Sequence, residues 1–131
     1  RAGVVFVGNL NHLPNIQAIS FFHDQVLPLL VHKLTEEEKQ RFKWHIVGAN
    51  GLWWSHNITS PCVVFHRFMP DYALAELYTH VAVSVAPLLA GAGVKGKVNQ
   101  AMSHGVPVVA TSIAVEGMRL QHMQDVLVAD S

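Results

Sequence analysis

Six short apolar runs limit what this chain can fold into. They read VVFVG (4–8), WHIVGA (44–49), CVVFH (62–66), VAVSVAP (81–87), VPVVAT (106–111) and VLVA (126–129). Each is rich in valine and none alternates with polar residues, which is the pattern of strands covered on both faces. Helical stretches lie between them. After Pro14, a residue suited to a first helical turn, Ile16, Ile19, Phe22, Val26 and Leu29 recur as one apolar stripe. Pro28 is expected to kink or end that helix. Thr35 and Glu38 have the spacing of a capping box for a short solvated helix. Asp71 is expected to cap a helix running through Leu74, Leu77 and Tyr78. A further helix is expected from about Val94 to His104, closed by Gly105. Strands alternating with helices predict an α/β, Rossmann-like three-layer sandwich with a mostly parallel sheet and right-handed crossovers. Ligands of such folds bind at the carboxyl ends of the strands. The loops of interest are therefore 8–14, 49–61, 66–71, 87–93 and 111–117.

One of these loops carries a motif. Gly91-Ala92-Gly93-Val94-Lys95-Gly96 fits G-x-G-x-x-G, the pattern of a dinucleotide fingerprint, but its setting differs. Pro87 to Ala90 separate the strand from Gly91, the unit comes late in the chain, and the next strand ends in Thr111-Ser112 rather than in a ribose-binding acid. Its physical content remains. Two glycines let a backbone approach a ligand closely. A helix opening near Val94 presents free N–H groups and a positive dipole end, for which an anion is the natural occupant. Lys97 in the first turn adds charge-assisted contact to a phosphate. Gln100, one turn on, can bond a hydroxyl. With His104 these two residues form a polar flank, which is equally what a solvated helix face would show. Gly8-Asn9-Leu10-Asn11-His12 closes the first strand, either as a plain tight turn or as a second loop on the ligand side. The GANG turn (48–51) is expected to end a strand, with ligand contact as the lesser alternative. Trp53-Trp54 is expected to bury against the sheet or pack on a further domain, with stacking on a ligand as the alternative.

Composition narrows the function classes. Lys plus Arg and Asp plus Glu are nine each, so no broad positive field favours nucleic acid or an anionic membrane. The nine histidines show no helix-borne H-x-x-x-H and no accompanying Cys or carboxylate cluster, so no metal site is expected. No G-x-S-x-G and no P-loop occur. Cys62 is the single cysteine and excludes an intrachain disulfide. Asn57-Ile58-Thr59 is a glycosylation sequon of the kind common by chance. No apolar run approaches the length of a membrane span. The chain starts without Met close to a strand and stops just after DVLVAD, so both ends read as cut from something longer.

With these residues laid out, the chain resembles the C-terminal, donor-binding domain of group 1 glycosyltransferases, which have the GT-B fold. The matching segments are VVFVGNLNHLPNIQAI, VLPLL, HIVGAN, MPD, VSVAPLLAGAGVKGKVNQAMSHGVPVVATSIAVEGM and DVLVAD, in the same order along nearly the whole chain. The resemblance implies that residues 1–131 form a single sugar-nucleotide-binding domain, one half of a two-domain enzyme whose N-terminal acceptor domain is absent. It implies sugar transfer with retention of configuration, of the hexosyltransferase type, from a nucleotide-sugar to a carbohydrate, lipid or protein acceptor. It implies no cofactor beyond that substrate, no metal, and a fragment inactive alone. The expected compartment is the cytoplasm, with membrane association through the missing part left open. The donor-binding residues it implies are Gly8, Asn9, Asn11, Gly91, Ala92, Gly93, Val94, Lys95, Lys97 and Gln100; it assigns no catalytic residue. Many relatives carry two Glu residues eight positions apart where Ala92 and Gln100 stand. The second normally accepts from the nucleotide ribose, and Gln100 accepts without charge. Basic residues found near the first strand of other relatives are replaced by Asn11 and His12. Two alternatives stay open: a decayed, non-catalytic binding module, and an epimerase-type domain acting on sugar nucleotides.

Overall fold

In the computed structural model, residues 2–49, 58–86, 100–110 and 127–128 are described. All six apolar runs form strands: β1 (Val4–Val7), β2 (Trp44–Val47), β3 (Val63–His66), β4 (Val83–Ala86), β5 (Val108–Ala110) and β6 (Leu127–Val128). They make one sheet in the order β3-β2-β1-β4-β5-β6, and every pairing is parallel. This is the doubly wound, Rossmann-like α/β arrangement. The unbroken valine runs match the burial of β1, whose four residues are at most 8% exposed. β3 departs from that reading. It borders the sheet among the described residues, and all four of its side chains are half-buried.

Helices cover both faces. On β2, Trp44 and Ile46 point to one side, where the Trp44 ring meets Phe22 at a centroid distance of 4.7 Å. His45 and Val47 point to the other. There Val47 and Val7 line a common cleft with Leu74 of helix α4 (Asp71–His80). The first face is covered by α1 (Leu13–Phe21), a π-helical turn (Phe22–Val26) and α2 (Leu27–Lys33). The sequence predicts a kink or an end at Pro28; the helix does not end there, and the distortion takes the form of a π-helical turn just before the proline. Pro28 has no N–H to donate, and the ladder shifts register just before it: the Leu27 N–H bonds the Phe22 carbonyl, five residues back. The extra residue of the wider turn rotates the apolar stripe. Leu27 becomes buried and Leu30 packs on the core, while Leu29, expected on the stripe, is 66% exposed.

The capping box forms as the spacing predicts. Thr35 Oγ1 accepts from the Glu38 N–H at 3.1 Å, and Glu38 Oε1 accepts from the Thr35 N–H at 2.9 Å, opening α3 (Glu36–Arg41). The Thr35 N–H bond to the ionised carboxylate, with the Thr35 hydroxyl beside it, holds the Glu38 pKa below its usual value. Asp71 is not a cap. Pro70 occupies that position, Asp71 is the first helical residue, and no side chain caps α4. The helical residues 100–103 end as expected at Gly105, whose φ of 72° is left-handed. The Val106 N–H bonds the Ala101 carbonyl and the Gly105 N–H bonds the Met102 carbonyl, a Schellman closure over buried Ala101 and Val106.

Candidate functional site

The order of the strands locates a crevice. From β1 the chain crosses to β2 on one side, and from β4 it proceeds to β5 on the other, while β1 and β4 are direct neighbours. Loops leaving the carboxyl ends of two such strands diverge and leave room for a ligand. The loop after β1 begins with Gly8 and Asn9. The segment after β4 begins at residue 87 and leads to the glycine motif. Gly91, Ala92, Gly93, Val94, Lys95 and Lys97 lie outside the described residues, as do Trp53, Trp54 and Asn57.

The β1 loop is held by its own hydrogen bonds. Asn9 Oδ1 accepts from the Asn11 N–H at 2.9 Å, which folds an Asx turn. The His12 N–H bonds the Asn9 carbonyl at 3.2 Å, and the His12 carbonyl accepts from Asn15 and Ile16 as α1 begins. Leu10 is 1% exposed and anchors the loop from below. Two further bonds tie the loop to the end of β2, Gly8 N–H to Val47 O at 3.0 Å and Leu10 N–H to Ala49 O at 3.1 Å. Gly48 makes this approach possible, since a Cβ there would overlap the Gly8 carbonyl oxygen. The GANG turn thus does more than end a strand, because its first glycine lets β2 close onto the β1 loop.

Beside this loop opens a cleft of about 390 Å³, within the range of small-molecule sites. Gly8, Asn9, Gly48, Phe68, Met69 and Asp71 are among its lining residues. Gly8 and Asn9, named from the sequence, are therefore brought together at one rim, with the exposed Asn11 following in the same turn. The loop 66–71 was legible as a ligand-side loop, but its contributors Phe68, Met69 and Asp71 were not. Phe68 is 66% exposed at the mouth, where an aromatic ring offers a stacking face. Gln100 is half-buried at the start of the described helical residues, and its carbonyl accepts from Ser103 Oγ at 2.7 Å. Residue 100 is on the helix that precedes β5, whose strand pairs with β4.

Two groups escaped sequence reasoning altogether. Asn15 is 2% exposed, and its Nδ2 donates to the Asn9 carbonyl at 3.0 Å. His45 and His66 meet on adjacent strands on the α4 side of the sheet. Burial lowers the pKa of both, and for His45 the neighbouring His66, Lys43 and His80 add to the effect. Among the described residues, no three His, Cys, Asp or Glu side chains group as a metal site. No described helix is long and apolar enough to cross a membrane.

Comparison with known proteins identifies the family. The model of the family "Glycosyl transferases group 1" matches residues 1–131, the whole chain, so the chain belongs to that family. It is also similar to an uncharacterized 44.6 kDa protein in the cps region of Klebsiella pneumoniae, with 29% identity over 145 aligned positions. The match covers 99% of this chain and 34% of the relative, so the chain spans about a third of that relative's length.

Proposed function

We propose that this group 1 glycosyltransferase domain binds the nucleotide-sugar donor of a retaining, hexosyl-transferring enzyme, and that the acceptor binds chiefly to a second domain preceding it. The observation that carries this reading is the β1–β4 adjacency, from which the Gly8–Asn11 loop and the chain leading to the glycine motif leave the same edge of the sheet. The donor diphosphate would lie over Gly91, Ala92, Gly93 and Val94 at a helix N-terminus. Lys95 and Lys97 would compensate its charge and Gln100 would stand near the ribose. Gly8, Asn9 and Asn11 would close the opposite rim. In this reading the protein acts in the cytoplasm, no metal takes part, and the isolated domain does not turn over substrate.

Calorimetric titration with a panel of nucleoside diphosphates tests the site. One diphosphate should bind well above AMP or inorganic phosphate, and Lys97→Ala should weaken it about tenfold. Equal binding of the whole panel and phosphate, or no effect of Lys97→Ala, removes the assignment. The anomeric configuration of the product, read by NMR, tests retention, and chelation should leave turnover unchanged. A decayed binding module is favoured by one residue, Gln100, which stands where many relatives carry Glu. The two readings part on turnover of the full-length protein, measured with Gln100 and with Gln100→Glu: an active enzyme already transfers sugar with Gln100 in place, whereas a decayed one shows no turnover.

A further inference from the structure

The buried amide of Asn15 is one polar group, among the described residues, to which the donor-site reading gives no task. Asn15 and Ser84 are the buried polar residues among those described. Asn15 sits in the first turn of α1, where an exposed polar residue would be ordinary, yet it is directed inward beneath the β1 loop. Its Nδ2 donates to the Asn9 carbonyl, six residues back along the loop. The same nitrogen lies against Gly8, and a Cβ at that position would stand 2.8 Å from it. This fixes the orientation of the amide, because the reversed rotamer would set Oδ1 against the Asn9 carbonyl. Oδ1 is buried and has no hydrogen-bond partner among the described residues. A half-satisfied buried amide weighs against a purely stabilising role, since an apolar residue of similar shape would cost less there.

We infer that Asn15 is a positioning residue for donor binding, acting through the Gly8–Asn9 backbone; the inference rests on the donor-site reading above. Three bonds converge on Asn9. Its carbonyl accepts from both Asn15 Nδ2 and the His12 N–H, and its side chain accepts from the Asn11 N–H. The Asn15 bond reaches from the helix to the far side of the turn and so joins the loop to a rigid element. Without it the loop keeps its local turn and its two bonds to the end of β2, but the Asn9 carbonyl between those bonds is no longer held from the helix side. Gly8 and Asn9 line the cleft, so a displaced loop changes the fit of a ligand rather than the stability of the core.

The experiment compares the intact protein with Asn15→Ser and Asn15→Asp. Serine is too short to reach the Asn9 carbonyl, and aspartate keeps the shape but removes the donor. Nucleoside diphosphate affinity, donor KM and kcat are measured together with amide hydrogen exchange at Leu10 and Asn11 and with the thermal midpoint. The expected result is a donor KM and a dissociation constant raised about tenfold, a retained kcat, and faster exchange at both amides. Unchanged KM and exchange beside a lowered midpoint would show a merely structural side chain and overturn the inference. If the wild-type protein binds no nucleoside diphosphate, the donor-site reading fails first and the positioning role falls with it. A wild type that binds, beside variants that bind equally well, overturns the positioning role alone.

Discussion

His45 Nδ1 and His66 Nε2 lie 2.8 Å apart across the β2–β3 pair, with the two rings stacked at a centroid distance of 5.1 Å. Their place in the sheet explains the meeting. His66 is in register with Val47, two residues beyond His45 on the same face, so the pair is a diagonal of the parallel ladder. The distance requires one proton between the two nitrogens. One ring can charge on its outer nitrogen and keep the bond. The second cannot, because two N–H groups would then face each other.

A pH dependence of stability follows from this pair. Burial holds both imidazoles below the ordinary histidine value of 6.5. A group whose pKa is lowered by folding leaves the fold at full stability above the unfolded value and weakens it as pH falls below that value. The thermal midpoint should therefore be level above about pH 7 and should fall towards about pH 5. Both rings are partly open to solvent, which moderates the slope. The double variant His45→Gln/His66→Gln should flatten the profile. An equally steep decline in that variant would place the acid sensitivity elsewhere.

Tyr78 offers the opposite case, a polar group the fold does not need. It is fully buried on α4, its ring stacks on His104 at 5.1 Å, and its hydroxyl has no partner among the described residues. Burial pushes its pKa up to about 12. Replacing an unpaired buried hydroxyl by hydrogen removes a desolvation penalty of about 1–3 kcal/mol and opens little space. Tyr78→Phe should thus be neutral or stabilising in urea unfolding. Tyr78→Ala, which removes the ring, should cost about 3–5 kcal/mol. A loss of that size in Tyr78→Phe would show that the hydroxyl is bonded.

These residues also show what the sequence could and could not disclose. The six strands were legible because covering a strand on both faces leaves an unbroken valine run. The border position of β3 was not, because CVVFH reads like its neighbours and its exposure depends on which strand lies beside it. Pro28 signalled a kink or an end, but whether the ladder stops or widens into a π turn depends on packing of Leu27 and Leu30 against the core. Gly8 and Asn9 could be named as a strand-end turn. Asn15 could not be separated from a surface asparagine, since its burial follows from the loop folded over it. His45 and His66 are 21 residues apart, and only the β2–β3 register joins them.

Gly105 tests backbone conformation free of packing. Its φ is 72°, and a Cβ built there meets no atom within 4 Å. Any penalty for a side chain is therefore the left-handed strain alone, about 1–2 kcal/mol for alanine. Gly105→Ala should lower unfolding stability by that amount, and Gly105→Asn by less, since asparagine tolerates this region. Equal losses in the two variants would point instead to a clash in the Schellman closure.

Gly48 tests the converse, packing without left-handed strain. A Cβ at this position would overlap the Gly8 carbonyl oxygen and also reach the Leu10 side chain. The neighbouring atom is backbone, so it cannot swing aside as a side chain would, and the β1 loop itself must move. Gly48→Ala should cost about 1–3 kcal/mol as a forced overpacking. It should also weaken nucleoside diphosphate binding, because Gly8 and Asn9 line the cleft that the displaced loop would reshape. Gly105→Ala is the matched control, with a comparable stability loss at a point where no side chain meets the cleft lining. Titration of both variants well below their midpoints separates the effects. If Gly48→Ala and Gly105→Ala bind alike, the closure of β2 onto the β1 loop matters to the fold and not to the ligand.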